Sequence, residues 1–374
     1  MEGVRILRQV TLASIARKRS TPLPSTILIS RTDSIGDVML TLPMLDILKE
    51  HFPSCRIIVL GREYTAPVLR CCVHADEIIT LEELRAAGDA AAVARLAAMK
   101  IDVVVHVFPR KEVARWCKEA GIPLRIGTSH RAWHWITCNK RVHFSRRRSP
   151  MHEAQLNLKL LAPLGIVERP PLDVLADRSG FAPPMPDERV KSMIEQGKRH
   201  VILHPGSGGS AGEWGLANFA ALMRLLDLGR YQIILTGTAV EAERYRPALP
   251  MHLPHVTDAG GMLALDQLIA LIGASDALVA ASTGPLHIAA ACGIQAIGLF
   301  GVKGLARWAP LGRRARALVS DPACARCARE EACDCVTRIA PARVVELLDS
   351  AGGGASDSPI PGVGPHAGGA RSGP

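Results

Sequence analysis

"SRTDSIGDVMLTLP", Ser30 to Pro43, decides how this chain is read. Before it stands Thr26 to Ser30 (TILIS), a short β-branched run. After it, Val38 to Phe52 carries Met39, Leu42, Leu45 and Leu48 at helical spacing. A strand therefore passes into a helix through a loop that holds Asp33, Gly36 and Asp37. Such a loop lies at the carboxyl edge of a sheet, where open α/β sheets bind ligands.

The same pattern extends outward. Arg56 to Leu60 and Asp102 to Phe108 read as buried strands, with a helical pattern over Glu82 to Met99 between them. Continuous apolar strands separated by helices indicate a parallel sheet covered on both faces. From Gly165 to Pro186 the chain turns proline-rich, as a linker would. The alternation then restarts: strands at Val201–Leu203, Tyr231–Thr236, Ala277–Ala280 and Ala296–Phe300, and helices at Leu216–Leu228, Leu265–Ala274 and Pro285–Cys292. The expected fold is α/β, with two Rossmann-like, doubly wound parallel-sheet domains facing a cleft. The boundaries expected are a basic extension over 1–24, a first domain over 25–168, a linker region over 169–198 and a second domain over 199–348. A Gly, Pro and Ser tail over 349–374 has little to bury and is expected to be disordered.

Composition narrows the partners. The 374 residues carry a net charge of +10, which suits an acidic partner, and aromatic residues make up only 4%. So few rings, with no recognised binding motif, argue against nucleic acid. Met1 to Ser20 lacks an unbroken apolar run, so no secretory signal is read, and the ten cysteines are expected as reduced thiols in the cytoplasm. Ala277 to Phe300 is apolar but interrupted by Ser282, Thr283, Gly284, Pro285 and His287, which favours strand–loop–helix–strand over a membrane span. The basic N-terminal segment is suited to rest on an anionic inner-membrane surface.

Two loops offer backbone N–H groups to an anion. "HPGSGGSAGEWG" (His204–Gly215) places Ser207 and Gly208 after a strand. Gly206, Gly208 and Ala211 formally satisfy a dinucleotide fingerprint. The acid that should end the next strand is missing, because Asp227 precedes that strand. There is no G-K-[ST], so this is no Walker loop. "ASTGPLHIAAACG" (Ala281–Gly293) sets Ser282, Thr283 and Gly284 at the amino end of a helix, where a phosphate is favoured, with His287 one turn in. Arg125 to Arg148 forms a basic run that reads as a solvated face or as a site for an acidic ligand, with Trp133 and Trp135 as a sugar platform. Cys324, Cys327, Cys333 and Cys335 stand as C-x2-C-x5-C-x-C, a set able to hold structural zinc or iron, although the last spacing is tight for a zinc knuckle.

"RTDSIGDVMLTLP", "HPGSGGSAGEW" and "STGPLHIAAACG", in this order and spacing, resemble glycosyltransferase family 9, the ADP-heptose heptosyltransferases of bacterial lipopolysaccharide assembly. "AGIPLRIG" (Ala120–Gly127) and "MHEAQLNLKLL" (Met151–Leu161) are similar too, so the likeness covers about residues 25 to 345. It implies a GT-B fold, with the acceptor on the first domain and the nucleotide sugar on the second. It further implies an inverting transfer that needs no metal or other cofactor. Asp37 then matches the catalytic base, while Asp33 is left as a loop or cap residue. Ser282, Thr283, Gly284 and His287 match the diphosphate loop, Glu241 the ribose carboxylate, and Met262 borders the adenine. Ser207 and Gly208 join the donor set. Arg31, Gly36, Arg125, Arg131, Arg146 and Arg147 are the acceptor candidates. Family members commonly carry Lys or Arg just before the tryptophan of the glycine-rich loop; here Gly212 and Glu213 precede Trp214. A nucleotide-sugar epimerase and a non-catalytic nucleotide-sugar-binding paralogue remain the alternatives.

Overall fold

A computed structural model describes residues 23–146, 149–209, 211–319 and 333–350. It contains two parallel six-stranded sheets, ordered β3-β2-β1-β4-β5-β6 and β12-β11-β10-β7-β8-β9. Counted from its own first strand, the second sheet repeats the order of the first, the doubly wound arrangement that places its switch point between the first and fourth strands.

In the first sheet β1 (Thr26–Ser30) lies between β2 (Arg56–Gly61) and β4 (Val103–His106), with Ile27 opposite both Ile57 and Val103. All five residues of β1 are buried, because helices cover both faces, so the strand reads as a continuous apolar run. β3 (Glu77–Thr80), β5 (Leu124–Thr128) and β6 (Lys140–Val142) complete the sheet, and β6 is its edge. The second sheet is built from β7 (Arg199–His204), β8 (Tyr231–Leu235), β9 (Val256–Asp258), β10 (Ala277–Ala281), β11 (Gln295–Leu299) and β12 (Ala315–Leu318).

Two helices expected as continuous are broken. Val38 to Phe52 divides into α1 (Ile35–Met39) and α2 (Leu42–His51). Pro43 has no N–H to give to Met39 and fits only in a first turn, so a new helix starts around it. Glu82 to Met99 divides at Gly88, whose φ of +81° breaks the helical path between Leu81–Ala86 and Asp89–Ala98. The proline-rich linker is also more ordered than its composition implies. It holds short helices at Leu172–Ala176 and Glu188–Lys191, buries Leu175 and Val190, and pairs Phe181 with Cys72 of the first domain.

The remaining helices used below are α3 (His134–Thr137), α4 (Glu153–Leu158), α5 (Leu216–Leu225), α6 (Ala239–Tyr245), α7 (Gly284–Ala291) and α8 (Val302–Trp308). One apolar cluster runs through both domains, from Ile27 and Ile29 by way of Met39 and Leu40 to Leu286, Leu278 and Ile202. The domains meet where α1 approaches α7. A Cβ on Gly36 would stand 3.1 Å from His287 Cδ2, and one on Gly284 would stand 2.8 Å from Ile35 Cγ2. Absent side chains at both positions let the helix starts touch. His152 Nε2 donates across the interface to the Ala309 carbonyl at 2.8 Å. Among the described residues no helix is long and apolar enough to cross a membrane.

Candidate active site

Helix α1 positions Asp37. Ser34 caps the helix in extended conformation, accepting from Asp37 N at 3.4 Å and donating its hydroxyl to Asp37 Oδ2 at 2.6 Å. The other carboxylate oxygen is bound by Arg31, whose side chain is only 3% exposed at the end of β1. Arg31 Nε also lies 2.8 Å from Asp33 Oδ1, poorly aligned for a hydrogen bond, so that contact is an ion pair. On the far side Arg31 Nη1 reaches Asn157 Oδ1 at 3.5 Å and Glu153 Oε1 at 3.6 Å. Arg146 closes the cluster, donating to Glu153 Oε1 at 2.8 Å and to Asn157 Oδ1 at 2.9 Å. Three carboxylates thus share two guanidiniums where little water screens them.

These groups line a cavity of about 410 Å³ with Phe108, Thr128, His130, Arg131 and, from the second domain, Arg307 and Trp308. Burial pushes the Asp33 carboxyl up to about 7, with Asp37 and Glu153 adding to the rise and Arg31 opposing it. Asp33 was expected as a loop or cap residue. It lies in the loop; Ser34 takes the cap, and beside the buried Arg31 Asp33 also forms part of the cavity wall.

The sequence candidates separate on this geometry. Arg31, Arg131 and Arg146 line the cavity with Asp37. Arg125 does not, because its guanidinium turns inward to the carbonyls of Thr137 (2.7 Å) and Ile122 and holds the α3 loop on the sheet. Gly36, expected against the acceptor, is packed on His287. Arg147 lies outside the described residues. Trp133 and Trp135 do not line the cavity, so neither is a platform inside it. Glu153, Asn157 and Arg307 had no assigned role in the sequence. Their signal was available for two of them: Glu153 and Asn157 are four apart on one helix, so both share a face. Glu153 Oε2 is buried without a partner among the described residues, and a wall group of that kind can accept from an incoming hydroxyl.

Across the cleft the second domain presents helix starts and small residues beside a few charged groups. Ser282 and Thr283 join β10 to α7, and Thr283 is the extended residue that starts the helix. His287 is buried against Gly36, and burial, with His152 nearby, pushes its imidazole down to about 4. Its ring lies at the domain interface, with Nδ1 buried and without a hydrogen-bond partner among the described residues. Glu241 completes a capping box at α6, accepting at Oε2 from Thr238 N at 2.8 Å and from Thr238 Oγ1 at 3.0 Å. Its Oε1 stands over Gly206, where any Cβ would collide at 2.1 Å. Burial works against the charged form of Glu241. The Thr238 and Gly208 amides, the Thr238 hydroxyl and His204 outweigh it and hold the carboxyl below its usual range. Ser207 donates to Ala211 O at 3.0 Å, and Met262 is partly exposed beside α6. Glu213, which stands where a cation was expected, holds one. Arg244 of α6 donates to it at 2.6 and 3.3 Å.

Of the cysteine set, Cys333 and Cys335 have sulphurs 2.7 Å apart, with Arg338 Nη2 3.7 Å from Cys335. Cys324 and Cys327 lie outside the described residues. Among the described residues no group of three or more His, Cys, Asp or Glu side chains could hold a metal ion.

The family model for glycosyltransferase family 9 (heptosyltransferase) matches residues 95–335. A putative glycosyltransferase of Haemophilus influenzae is 26% identical over 283 residues, 73% of this chain and 82% of that protein. Lipopolysaccharide heptosyltransferase 3 of Escherichia coli is 24% identical over 288 residues, 74% of this chain and 83% of that protein. A family 9 glycosyltransferase from Veillonella parvula superposes with a TM-score of 0.75 at 19% identity, covering 89% of this chain and 98% of that one. An Escherichia coli heptosyltransferase solved with ADP-2-deoxy-2-fluoro heptose gives 0.65 at 16% identity, covering 87% and 99%. A dodecameric iron-containing heptosyltransferase in complex with ADP-D-beta-D-heptose gives 0.51 at 14% identity, covering 87% and 76%. These matches favour sugar transfer over the epimerase and the binding-only protein. The chain belongs to glycosyltransferase family 9, the heptosyltransferase family, and is a glycosyltransferase with two Rossmann-like domains in the GT-B arrangement.

Proposed function

We propose that the cleft moves a heptose, or a closely related sugar, from an ADP-sugar to an anionic glycolipid such as a lipopolysaccharide inner core, with inversion and without a metal. The observation that carries this reading is Asp37, fixed at both oxygens in the wall of a cavity to which both domains contribute. The acceptor hydroxyl enters the cavity and gives its proton to Asp37 while its oxygen attacks the anomeric carbon. The bond to ADP breaks with its electron pair leaving on the diphosphate. That charge is met by the N–H groups at the start of α7 and by the loop around Ser207 and Gly208. Arg244 supplies the cation that Glu213 has displaced from the loop. Arg31, Arg131, Arg146 and Arg307 give the cavity its affinity for an acidic acceptor. Two similar solved enzymes hold an ADP-heptose or its analogue, which supports the donor class.

The test is Asp37→Asn. Turnover should fall ~10²–10⁴-fold, the range of a lost general base, while ADP-sugar affinity is retained. Near-native turnover in that variant would remove Asp37 from the chemistry. A thermal-shift screen should show stabilisation by ADP-sugars in preference to UDP- and GDP-sugars.

For the cysteine set we propose structural zinc or iron. Thiolates suit either ion, and the Cys333 and Cys335 sulphurs lie 2.7 Å apart. Neither Cys333 nor Cys335 lines the cavity, so the transfer is not routed through them. Metal analysis of the purified chain, against Cys333→Ser with Cys335→Ser, decides it: equal metal content in both removes the site.

A further inference from the structure

The surface beside the cavity mouth carries two large apolar side chains that the transfer reaction does not use. Trp135 is 60% exposed and Ile136 71% exposed, adjacent on the outer side of α3. They are held there. Trp135 Nε1 donates to Ser129 O at 3.0 Å, and the buried neighbours His134 and Thr137 anchor the turn from below. Arg141 lies over the Trp135 ring at 4.6 Å, and Lys140 and Arg141 are exposed on the edge strand β6. His130, Arg131 and His143 complete the rim, all exposed. No aspartate or glutamate occurs between Glu119 and Glu153, so no acid from this stretch offsets these charges.

We propose that this patch is a membrane-docking surface, with Trp135 and Ile136 entering the interfacial layer of an anionic bilayer while Lys140, Arg141 and Arg131 meet lipid phosphates. Indole and aliphatic groups ringed by cations suit that layer, where an aromatic ring sits at headgroup level and basic side chains are drawn to anionic lipid. A second protein surface would need acidic complementarity to the rim, and an exposed acidic counterpart for self-pairing would have to lie on another face of this chain. The patch is continuous with the cavity, since Thr128, His130 and Arg131 line the cavity and Ser129 holds Trp135. It is distinct from the basic segment at Met1–Ser20, which lies outside the described residues. The proposal goes beyond the transfer reaction, because lipid binding here requires no sugar acceptor.

The experiment is co-sedimentation of the full chain with vesicles of phosphatidylcholine alone and of phosphatidylcholine with phosphatidylglycerol at 3:1. The native chain should bind the anionic vesicles, and tryptophan emission should shift to the blue. Lys140→Ser with Arg141→Ser should weaken binding on the order of 20-fold at low salt, because each cation near an anionic surface contributes about five-fold. Ile136→Ser, which breaks no hydrogen bond, should weaken it roughly 10-fold, and Trp135→Ser should also abolish most of the blue shift. Thermal melting of each variant verifies that the fold is kept. Native-like vesicle binding in all three variants overturns the proposal and leaves the N-terminal segment as the membrane contact. A concentration-dependent dimer that Ile136→Ser dissociates, without vesicle binding, overturns it in favour of a second copy. Asp37→Asn should bind vesicles like the native chain; loss of transfer with binding kept in that variant separates this surface from the reaction.

Discussion

The two sheets share one strand order, yet their cleft edges are built from opposite materials. At the first, Arg31, Asp33, Asp37, Arg146 and Glu153 crowd charged side chains around a cavity. At the second, small residues allow close approach: Gly206 lies under Glu241, and Thr283 and Gly284 open α7. The difference follows from what each edge is proposed to do. Removing a proton needs a titratable side chain held in place, whereas cradling a diphosphate needs oriented N–H groups and close approach. Equal topology therefore does not imply equal chemistry; the loops after corresponding strands decide it.

The largest effect is expected where the charged edge is least exposed. Arg31→Met leaves Glu153, with a side chain 2% exposed, and Asp33 short of a partner. Breaking a buried ionic cluster costs about 3–5 kcal/mol, so denaturant unfolding should register a loss of that order. A loss below ~1 kcal/mol would show that Arg31 does not hold this edge together.

Asp33 and the buried histidines of the domain interface should also respond to pH with opposite sign. Asp33, raised to about 7, keeps a proton in the folded chain that the unfolded chain releases above about pH 4. Its contribution to stability therefore falls as pH rises from about 4 to 7. His287 and His152, pushed down to about 4 by burial, stay neutral when folded but take up protons when unfolded below about pH 6.5. Their contribution rises with pH between about 4 and 6.5. Each can amount to a few kcal/mol at most, since a tenfold difference in proton affinity between folded and unfolded chain is worth about 1.4 kcal/mol. Unfolding free energies between pH 4.5 and 7.5 should then steepen upward with pH in Asp33→Asn and tilt downward in His287→Gln. Parallel curves for native and both variants would mean that neither Asp33 nor His287 titrates in this way.

A smaller effect is expected at the rim of the second edge. Arg244→Ala should raise the donor KM roughly 10-fold with little change in kcat, as loss of one charge-assisted contact would. An unchanged KM would reduce the Arg244–Glu213 pair to an exposed ion pair of negligible consequence.

Much of this contrast was legible in the sequence, and its limits are physical. The strand-to-helix transition at Ser30–Pro43, the glycine-rich loop and the start of α7 are local patterns, and each lies where its pattern put it. Pro43 and Gly88 split helices that apolar periodicity ran together, because backbone chemistry overrides spacing at single residues. Contacts between distant segments were not legible. Nothing local distinguishes Arg125, which turns inward to Thr137, from Arg131, which reaches the cavity. Gly36 is an acceptor candidate by sequence, but its neighbour is His287, a residue of the other domain. Arg307 enters the charged cavity from the opposite domain, binding the carbonyls of Arg146 and Ser149, a contact that exists only once the domains meet.

The central claim is that the charged edge serves the acceptor and the backbone edge serves the donor. Calorimetric titration of ADP into Asp37→Asn and Glu241→Ala tests it most directly. The expected result is an ADP Kd within about two-fold of native for Asp37→Asn, since that carboxylate faces the cavity proposed for the acceptor. For Glu241→Ala the Kd should rise roughly 10-fold, as loss of a charge-assisted hydrogen bond predicts. Weakened ADP binding in Asp37→Asn together with native affinity in Glu241→Ala would contradict the division.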